Sequence, residues 1–386
     1  MNFPAEDDDC KEPRATPLYA AAASVSASNS WTSVNGWAAA RVYTTVEEEY
    51  KAASEDAALV DLGPLCRYTV RGADAAILLA RLTTTPVGEL GVAESARGLI
   101  LDADGAVVDK ADLTRLSGDL FLLTTAMSAD RRLQLAARGF DVAVSNVGAM
   151  VAALGLIGPG ARDAIAAAGV DVLSADASAQ GRVRGVELAI RAINIGATPG
   201  VEIICPAEDA LVIWERLRRK RPIPAAGLDA LEILRIEGGA PRLGVDYVSA
   251  DRATPAARRF PNEIGLPHLA PPNRAWFNGR RAMKGAPAAA RYLVVLSVDS
   301  DAALPGVAVF AGGSPAGRIT SAAFSPRLKR ALSFAEIAAS ALGASLEVAL
   351  ATPSGERAGA RLHDTAESRL AAAFRDNLRS ATESRR

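Results

Sequence analysis

The chain has 386 residues, of which 49% are hydrophobic and 23% are charged. This balance is typical of a globular protein with two or three domains, and it excludes a largely disordered chain. The 43 basic and 44 acidic residues leave a net charge of −1, so no bulk electrostatic attraction to nucleic acid is expected.

Three cysteines are too few for a disulfide framework, which favours a reducing compartment. We predict no metal site, because no metal-ligand spacing links Cys10, Cys66, Cys205, His268 and His363. The apolar runs are shorter than a membrane span, and acidic residues 7–9 stand where a signal peptide carries positive charge. We therefore expect a cytoplasmic protein that binds neither a membrane nor nucleic acid.

The first part of the chain predicts helices interleaved with antiparallel strands. Charged helix formers indicate a helix over 46–57, and apolar residues spaced by three or four indicate another over 73–84. Asp104-Gly105 between two apolar runs indicates a tight hairpin turn. The predicted strands and the hairpin occupy residues 59–72, 98–116 and 119–126.

Strand and helix patterns then restart in a similar order, so a distant internal duplication is conceivable. The second set comprises a strand, a helix, a strand pair and a further helix, over 151–159, 161–169, 186–194 with 200–206, and 207–220. A helix over 227–247 is broken at Gly238-Gly239, and a Pro-rich loop follows over 254–272. Short strands between Gly/Pro turns predict a small β-barrel or sandwich over 291–362.

The pattern predicts an α+β chain with five segments. Residues 1–15 form a disordered tail. The N-terminal α+β domain covers 16–150, the second α+β domain covers 151–287, and the C-terminal β-barrel domain covers 288–365. Residues 366–386 are expected to be a charged tail or helix.

Acidic residues and one lysine cluster around the predicted hairpin. Alternate side chains of a strand share a face, so Lys110 and Asp112 should point one way and Asp109 the other. An acid at the lip of a hairpin can bind an amine substrate or act as a general base. The alternative interpretation is a solvated turn with a surface ion pair.

A second candidate is Glu237, at the end of the helix that Gly238-Gly239 interrupts. A glutamate there faces the negative end of the helix dipole, so it needs a donor such as Arg242 or a ligand amine. An ordinary salt bridge is the alternative. Residues 196–202 are Gly-rich but lack the spacing of a phosphate loop, so no nucleotide site is predicted.

A series of different short motifs lies along residues 16–350. They include Gly-Pro-Gly-Ala-Arg at 158–162 and Arg-Ile-Glu-Gly-Gly at 235–239. The remaining motifs lie at 16–19, 36–37, 43–50, 59–62, 70–75, 261–266, 277–280, 317–321 and 324–326. Together they resemble the aminomethyltransferase family, which comprises the glycine-cleavage T-protein, tetrahydrofolate-dependent demethylases and YgfZ-like folate-binding proteins.

The resemblance implies a three-domain cloverleaf ring of the T-protein type, with folate in the central hole and a C-terminal small β-barrel. It also implies roles for three residues. Glu237 matches the family's pterin-binding glutamate, and Arg235 belongs to the same candidate folate site. The family's Gly-Tyr-Thr-Gly-Glu-x-Gly block is eroded over residues 196–202: its earlier acid is lost, while Glu202 survives and is expected to line the pocket. A carboxylate pairs with an amino-pyrimidine edge much as it does with a guanidinium.

The sequence departs from the family at its reacting position. Counted from Gly105, the family's pair of aspartates falls on Asp109 and Lys110, and the second of the pair is the catalytic one. A lysine carries the wrong charge to stabilise a cationic amine or iminium. Asp112 lies two residues on and on the same face, so Asp109, Lys110 and Asp112 are the candidates for the reacting edge.

The leading hypothesis is transfer of a one-carbon unit to tetrahydrofolate from a small methylated or aminomethylated donor, with a lipoyl carrier protein as a further partner that the resemblance implies. The changed residue at position 110 favours a changed donor, and hence a demethylase. The same change fits a folate-binding accessory protein without turnover, like the YgfZ-like branch that supports iron–sulfur clusters. The Lys-Gly-Cys-Tyr motif of that branch is absent.

Overall fold

The computed structural model describes residues 12–172, 178–183, 185–274, 276–284, 289–300, 304–350 and 356–373. These residues form a two-stranded hairpin, two larger antiparallel sheets covered by helices, and a closed β-barrel. The predicted α+β class with a C-terminal barrel is confirmed. Within this part of the chain, every helix is too short or too polar to cross a bilayer.

The N-terminal region begins with a tight hairpin between two helices. Its elements are α1 (Tyr19–Ser24), β1 (Ser30–Val34), β2 (Trp37–Val42), α2 (Val46–Glu55) and β3 (Ala58–Asp61). Asn35 and Gly36 connect β1 to β2, and both have a positive φ, of 51° and 73°. A two-residue turn that matches the twist of its strands requires this geometry. Thr45 caps α2, because its hydroxyl accepts a hydrogen bond from the Glu48 backbone N–H.

The first large sheet contains the predicted hairpin. Its elements are β4 (Cys66–Arg71), α3 (Ala75–Leu82), β5 (Ser95–Leu101), β6 (Val107–Arg115), β7 (Leu120–Thr125), α4 (Asp130–Ala136) and β8 (Ala143–Asn146). The strand order is β5-β6-β7-β4-β8. In the β5–β6 register, Arg97 lies opposite Asp112 and Leu99 lies opposite Lys110. Cross-strand neighbours of this kind contact each other directly, so Arg97 is placed beside the candidate residues.

The second sheet is larger by one strand. Its elements are β9 (Val151–Ile157), α5 (Ala161–Ala167), β10 (Asp171–Val172), β11 (Ser178–Val183), β12 (Val186–Ile195), β13 (Thr198–Pro206) and α6 (Ala210–Arg219). The strand order is β10-β11-β12-β13-β9-β3. The outer strand β3 therefore comes from the N-terminal region, and it pairs with β9 from Ala58 to Asp61.

The two sheets share the order of four strands, although β8 comes last in its unit, β3 comes before β9, and β10 has no counterpart in the first sheet. In the first, the meander β5-β6-β7 lies beside β4, and β8 closes the outer edge. In the second, the meander β11-β12-β13 lies beside β9, and β3 closes the outer edge. A helix follows the first strand of each unit, α3 after β4 and α5 after β9. This correspondence supports the internal duplication that the element order suggested.

A buried helix, α7 (Leu228–Gly238), precedes the barrel. Gly239 ends α7 in the left-handed conformation, with φ of 77°, as a C-terminal glycine commonly does. The remaining elements are α8 (Arg280–Lys284), β14 (Arg291–Val298), β15 (Ala308–Ala311), β16 (Ser314–Ser325), β17 (Arg330–Ala338), β18 (Leu346–Ala349) and β19 (Arg357–Leu362). The six strands close in the order β14-β17-β16-β15-β18-β19.

The helix α7 is the centre of the molecule because it packs against all the other parts. It contacts α2, β2, β12, β16 and β17. Ile236 belongs to an apolar cluster that also contains Leu101 of the β5–β6 hairpin and Phe334 of the barrel. Glu232 and Arg235 are buried on the same helix. A buried helix with charged residues requires internal partners for them, and these partners form the site described below.

The predicted N-terminal tail and the predicted domain boundaries can be compared with contacts of particular residues. Arg14 lies in the predicted disordered tail, but its backbone N–H donates to the Gly36 carbonyl at 2.9 Å and its guanidinium covers the Trp37 ring. The tail prediction is therefore wrong for Arg14, while residues 1–11 lie outside the described part. The division at residues 150, 287 and 365 stays a prediction, and the pairing of β3 with β9 crosses the first of these boundaries.

Gly238 offers a test of how α7 packs. A Cβ at this position would lie 2.2 Å from the Ala197 backbone nitrogen and 2.3 Å from the Gly196 Cα. An exposed helical glycine gains stability on replacement by alanine, but here overpacking should dominate. We expect Gly238→Ala to lower the free energy of unfolding by about 1–3 kcal/mol, measured by thermal and urea denaturation.

The matched control is Gly118→Ala, because a Cβ at Gly118 would meet no atom within 4 Å. This variant should unfold as the wild type does. Equal stability of Gly238→Ala and the wild type would contradict the close approach of α7 to the loop after β12.

Candidate functional site

A buried carboxylate joins the two large sheets. Glu202 on β13 accepts from Arg67 Nη2 at 2.6 Å and from Arg191 Nε, and its side chain is fully buried. Arg67 belongs to β4 of the first sheet and Arg191 to β12 of the second. Burial alone would raise the pKa of the Glu202 carboxyl, but Arg191 and Arg67 together lower that pKa to about 2. Glu202 is therefore a structural anion as well as a pocket candidate.

Arg191 extends this pairing to the predicted hairpin. Its Nη2 lies 3.8 Å from Asp112 Oδ2, and Arg97 Nε lies 3.4 Å from Asp112 Oδ1. Lys110 is on the same face of β6, as the strand alternation predicts, and its Nζ donates to the Pro241 carbonyl at 2.7 Å. Burial, assisted by the Arg97 charge, lowers the pKa of Lys110 to about 8, although Glu367 and Asp112 oppose that shift.

Arg235 is the next buried cation, and all its contacts are internal. It donates from Nε to Glu232 at 2.7 Å, from Nη1 to Asp246 at 2.7 Å and from Nη2 to the Ser321 hydroxyl at 2.9 Å. Ser321 belongs to β16, so this residue connects α7 to the barrel. The arrangement fixes Arg235 in place, whereas the resemblance implied a contact with folate.

Asp109 lies on the opposite face of β6 from Lys110. Its carboxylate accepts three backbone N–H groups, from Lys110 at 2.6 Å, Met127 at 2.9 Å and Ala126 at 3.2 Å. Burial raises the pKa of Asp109 to about 6 despite these donors. The carboxylate thus holds the chain where β7 ends, and its contacts differ from those of Lys110 and Asp112.

Glu237 is held at a separate place, between α2 and the barrel. Its Oε1 accepts from the Tyr50 hydroxyl at 2.8 Å and the Ser325 hydroxyl at 2.5 Å. Its Oε2 accepts from Arg327 Nη2 at 3.3 Å, and the Arg327 side chain is 65% exposed. The internal donor that the sequence suggested, Arg242, instead contacts Glu232 at 2.7 Å. One oxygen of Glu237 is therefore held by internal hydroxyl groups, while the other pairs with an exposed surface cation.

Several residues of this centre have no motif in the sequence. They are Arg67, Arg97, Arg191, His268 and Glu367. Arg67 and Arg191 carry a weak signal, since each is a charged residue within a segment that the sequence predicts to be a strand. Glu367 carries none, because its position depends on the path of the chain after the barrel. The described residues contain no cluster of His, Cys, Asp and Glu suited to a metal.

Comparisons with known proteins identify relatives that share the fold described above. The family model of the GCVT N-terminal domain matches residues 20–258, and that of the glycine cleavage T-protein C-terminal barrel domain matches residues 291–366. The aminomethyltransferase T of the glycine cleavage system from Bartonella henselae has a TM-score of 0.80, at 21% identity, over 92% of this chain and 98% of that one. This similarity confirms the predicted three-domain T-protein fold.

Curated relatives match over nearly the whole chain. A probable aminomethyltransferase from Haloarcula marismortui is 30% identical over 84% of this chain and 90% of its own length. An aminomethyltransferase from Moorella thermoacetica is 29% identical over 86% of this chain and 92% of its own length. Fold and site define a three-part α+β protein with a buried ionic centre and a C-terminal barrel. The chain belongs to the glycine cleavage T-protein family.

The Glu202 ion pairs should dominate stability at neutral pH. Glu202→Gln removes the carboxylate that Arg67 and Arg191 share and leaves Arg191 only the more distant Asp112, so we expect a loss of about 3–5 kcal/mol in the free energy of unfolding. The folded-state pKa of Glu202, about 2, lies below that of an unfolded glutamate. The contribution is therefore present above about pH 4.3 and is lost as the pH falls toward 2.

Circular dichroism during thermal unfolding, for wild type and variant between pH 3 and 7, measures this difference. The control Glu187→Gln removes an exposed carboxylate of the same sheet, 81% exposed and paired with Arg182, and should have little effect. A difference between wild type and Glu202→Gln that does not narrow at low pH would contradict the assignment.

The side chain of Lys110 should have a lower pKa than the other lysines. We expect one lysine ¹³Cε resonance to titrate near pH 8 in an NMR experiment, because burial and Arg97 disfavour its charged form. That resonance should disappear in Lys110→Arg and persist in Lys51→Arg, which replaces an exposed lysine of α2. Titration of every lysine above pH 10 would contradict this environment of Lys110.

Proposed function

We propose that this protein binds tetrahydrofolate and transfers a one-carbon unit to it from a small methylated or aminomethylated amine. The observation that carries the proposal is the match to proteins named aminomethyltransferase, which extends over 84% and 86% of this chain and 90% and 92% of theirs. The two family models cover residues 20–258 and 291–366, which include the strands of both sheets and of the barrel.

The contacts of Glu237 support a pterin at this carboxylate. Arg327 presents a planar guanidinium to Glu237 Oε2, and an amino-pyrimidine edge presents N–H groups in a similar planar arrangement. Because Arg327 is 65% exposed, it can leave this position at little cost. Tyr50 and Ser325 would keep Oε1 in place while the ligand replaces Arg327 at Oε2.

When bound, tetrahydrofolate supplies the nitrogen atoms that accept the one-carbon unit. The chain supplies the base and the surrounding charges. Lys110 has a pKa near 8 and can therefore give or take a proton at physiological pH. Its charged form can protonate the amine that leaves a methylated donor. Its neutral form can take a proton from the ammonium of an aminomethylated donor, whose freed nitrogen lone pair then expels the group on the other side of the carbon. Asp112, held by Arg97 and Arg191 on the same strand face, provides the negative charge beside it.

A second candidate function is folate binding without turnover. The favouring observation is that Lys110 Nζ already donates to the Pro241 carbonyl at 2.7 Å, a contact that serves the structure. Incubation with tetrahydrofolate and methylamine, dimethylamine or N-methylglycine distinguishes the two functions. Donor loss that requires both protein and folate supports transfer, whereas folate binding with no donor loss supports the accessory function.

Tetrahydrofolate binding should respond in opposite directions to two substitutions at the Glu237 pair. We expect Glu237→Gln to weaken binding more than tenfold, because a pterin edge loses its charged acceptor. Arg327→Ala should strengthen it up to about fivefold, because it removes a competing surface ion pair worth roughly 0–1 kcal/mol. Anaerobic isothermal titration calorimetry measures both.

Glu208→Gln is the matched control, since it removes an exposed carboxylate next to α6. It should leave the affinity unchanged. Failure of the wild type to bind tetrahydrofolate would contradict the proposal, and equal affinities for wild type, Glu237→Gln and Arg327→Ala would exclude Glu237 as the anchor.

A further inference from the structure

The chain returns to the centre of the molecule after the barrel. Residues 366–373 are helical, and Thr365 and Ser368 exchange hydrogen bonds at the start of this segment. The Thr365 N–H donates to the Ser368 hydroxyl at 2.8 Å, and the Ser368 N–H donates to the Thr365 hydroxyl at 3.1 Å. Reciprocal bonds of this kind fix the beginning of a helix. Residues 364–373 are called the C-terminal segment below.

The C-terminal segment lies directly against the end of α7. A Cβ on Gly239 would be 2.2 Å from the Thr365 hydroxyl oxygen, so only a glycine permits this approach. Thr365 and Ala371 are buried. Gly239 lies two residues after Glu237 and two residues before Pro241, whose carbonyl accepts from Lys110. The segment thus packs against the stretch of chain that links Glu237 to the Pro241 carbonyl.

This packing places one carboxylate in the cluster around Lys110. The side chain of Glu367 is only 12% exposed, and its Oε2 lies 3.5 Å from His268 Nε2. Glu367 is also close enough to Lys110 to oppose the fall in the pKa of that lysine. Its Oε2 is buried without a hydrogen-bond donor among the described residues, and so is His268 Nδ1. Buried polar atoms left in this way require an explanation, such as an ordered water or a bound ligand.

The other carboxylates of the centre are already matched. Glu202 is paired with two arginines, Asp112 with Arg97 and Arg191, and Asp246 with Arg235. Asp109 is occupied by three backbone N–H groups. Among the described residues, Glu367 Oε2 therefore has only the long 3.5 Å contact to His268 Nε2, and Glu367 is near enough to raise the pKa of Lys110.

We propose that Glu367 is a ligand-binding carboxylate of this site and receives the ammonium N–H groups of the amine donor, so that the C-terminal segment forms one wall of the donor pocket. This assignment rests on the proposed function for the identity of the donor. It accounts for the lysine at position 110: the negative charge that a cationic amine needs is supplied by a different segment, and Lys110 is free to act on protons.

Dimethylammonium chloride is a simple probe, because it carries two N–H donors on a cation. Calorimetric titration of the full chain, with and without tetrahydrofolate, compares wild type, Glu367→Gln and Asp364→Asn. We expect Glu367→Gln to weaken dimethylammonium binding at least tenfold. Asp364→Asn is the matched control, because it neutralises an exposed carboxylate of the same segment that pairs with Arg369, and it should change the affinity less than twofold.

A double variant tests whether dimethylammonium binding depends on the negative charge of Glu367. Lys110→Asp in the Glu367→Gln background places a carboxylate at position 110. We expect this second substitution to recover at least half of the binding free energy that Glu367→Gln removes. Loss of binding through a structural role of Glu367 alone would not be reversed in this way. Wild-type affinity in Glu367→Gln would overturn the assignment.

The two histidines provide a readout that is independent of any ligand. Burial lowers the pKa of His268 while Glu367 raises it, and burial lowers the pKa of His363 while Asp364 raises it. By NMR, Glu367→Gln should lower the pKa of His268 only, and Asp364→Asn that of His363 only. An unchanged His268 in Glu367→Gln would overturn the assignment even if the double variant does not fold.

The outcomes separate this inference from the proposed function. Dimethylammonium binding that depends on Glu367, with no tetrahydrofolate binding by the wild type, would support the amine site and contradict folate-dependent transfer. If the wild type binds tetrahydrofolate and Glu367→Gln binds dimethylammonium as the wild type does, the folate site is supported and the amine site at Glu367 is contradicted.

Discussion

The rest of the structure depends on the carboxylate of Glu202, which two guanidinium groups hold in the interior. Arg67 comes from the first sheet and Arg191 from the second, so the relative position of the sheets is fixed by charge as well as by apolar packing. Removing one partner of a buried ion pair leaves a charge with no solvent to compensate it. Arg191 also reaches Asp112, and this contact positions the hairpin strand that carries Lys110.

Arg235 extends the same constraint to the barrel. It holds Glu232 within α7, Asp246 in the following loop and Ser321 on a barrel strand. Because the barrel is anchored in this way, the chain that leaves it starts close to α7 and can pack against Gly239. The position of Glu367 is thus a distant consequence of the Arg235 contacts. Buried charges here act chiefly by fixing geometry, and the candidate site lies where those fixed parts meet.

The sequence predicted the local features well because they depend on near neighbours. The Asp104-Gly105 hairpin and the end of α7 at Gly239 follow from turn chemistry and periodicity. The strand pattern of the C-terminal part left a barrel or a sandwich open, and the family resemblance favoured the closed barrel that the structure has. The pairing of β3 with the second sheet could not be predicted, since it depends on contacts distant in the chain. Arg235 and Glu367 show the same limit. A sequence motif pointed to Arg235, whereas no motif pointed to Glu367. The partners of both residues are defined only in the folded chain.

The central claim is that Glu237 binds a pterin in place of Arg327. A crystal structure of the protein with tetrahydrofolate, obtained anaerobically, tests it most directly. The account predicts the amino-pyrimidine edge at Glu237 Oε2, with Arg327 displaced into solvent and Tyr50 and Ser325 still on Oε1. A pterin bound elsewhere, with the Glu237–Arg327 pair intact, would contradict it.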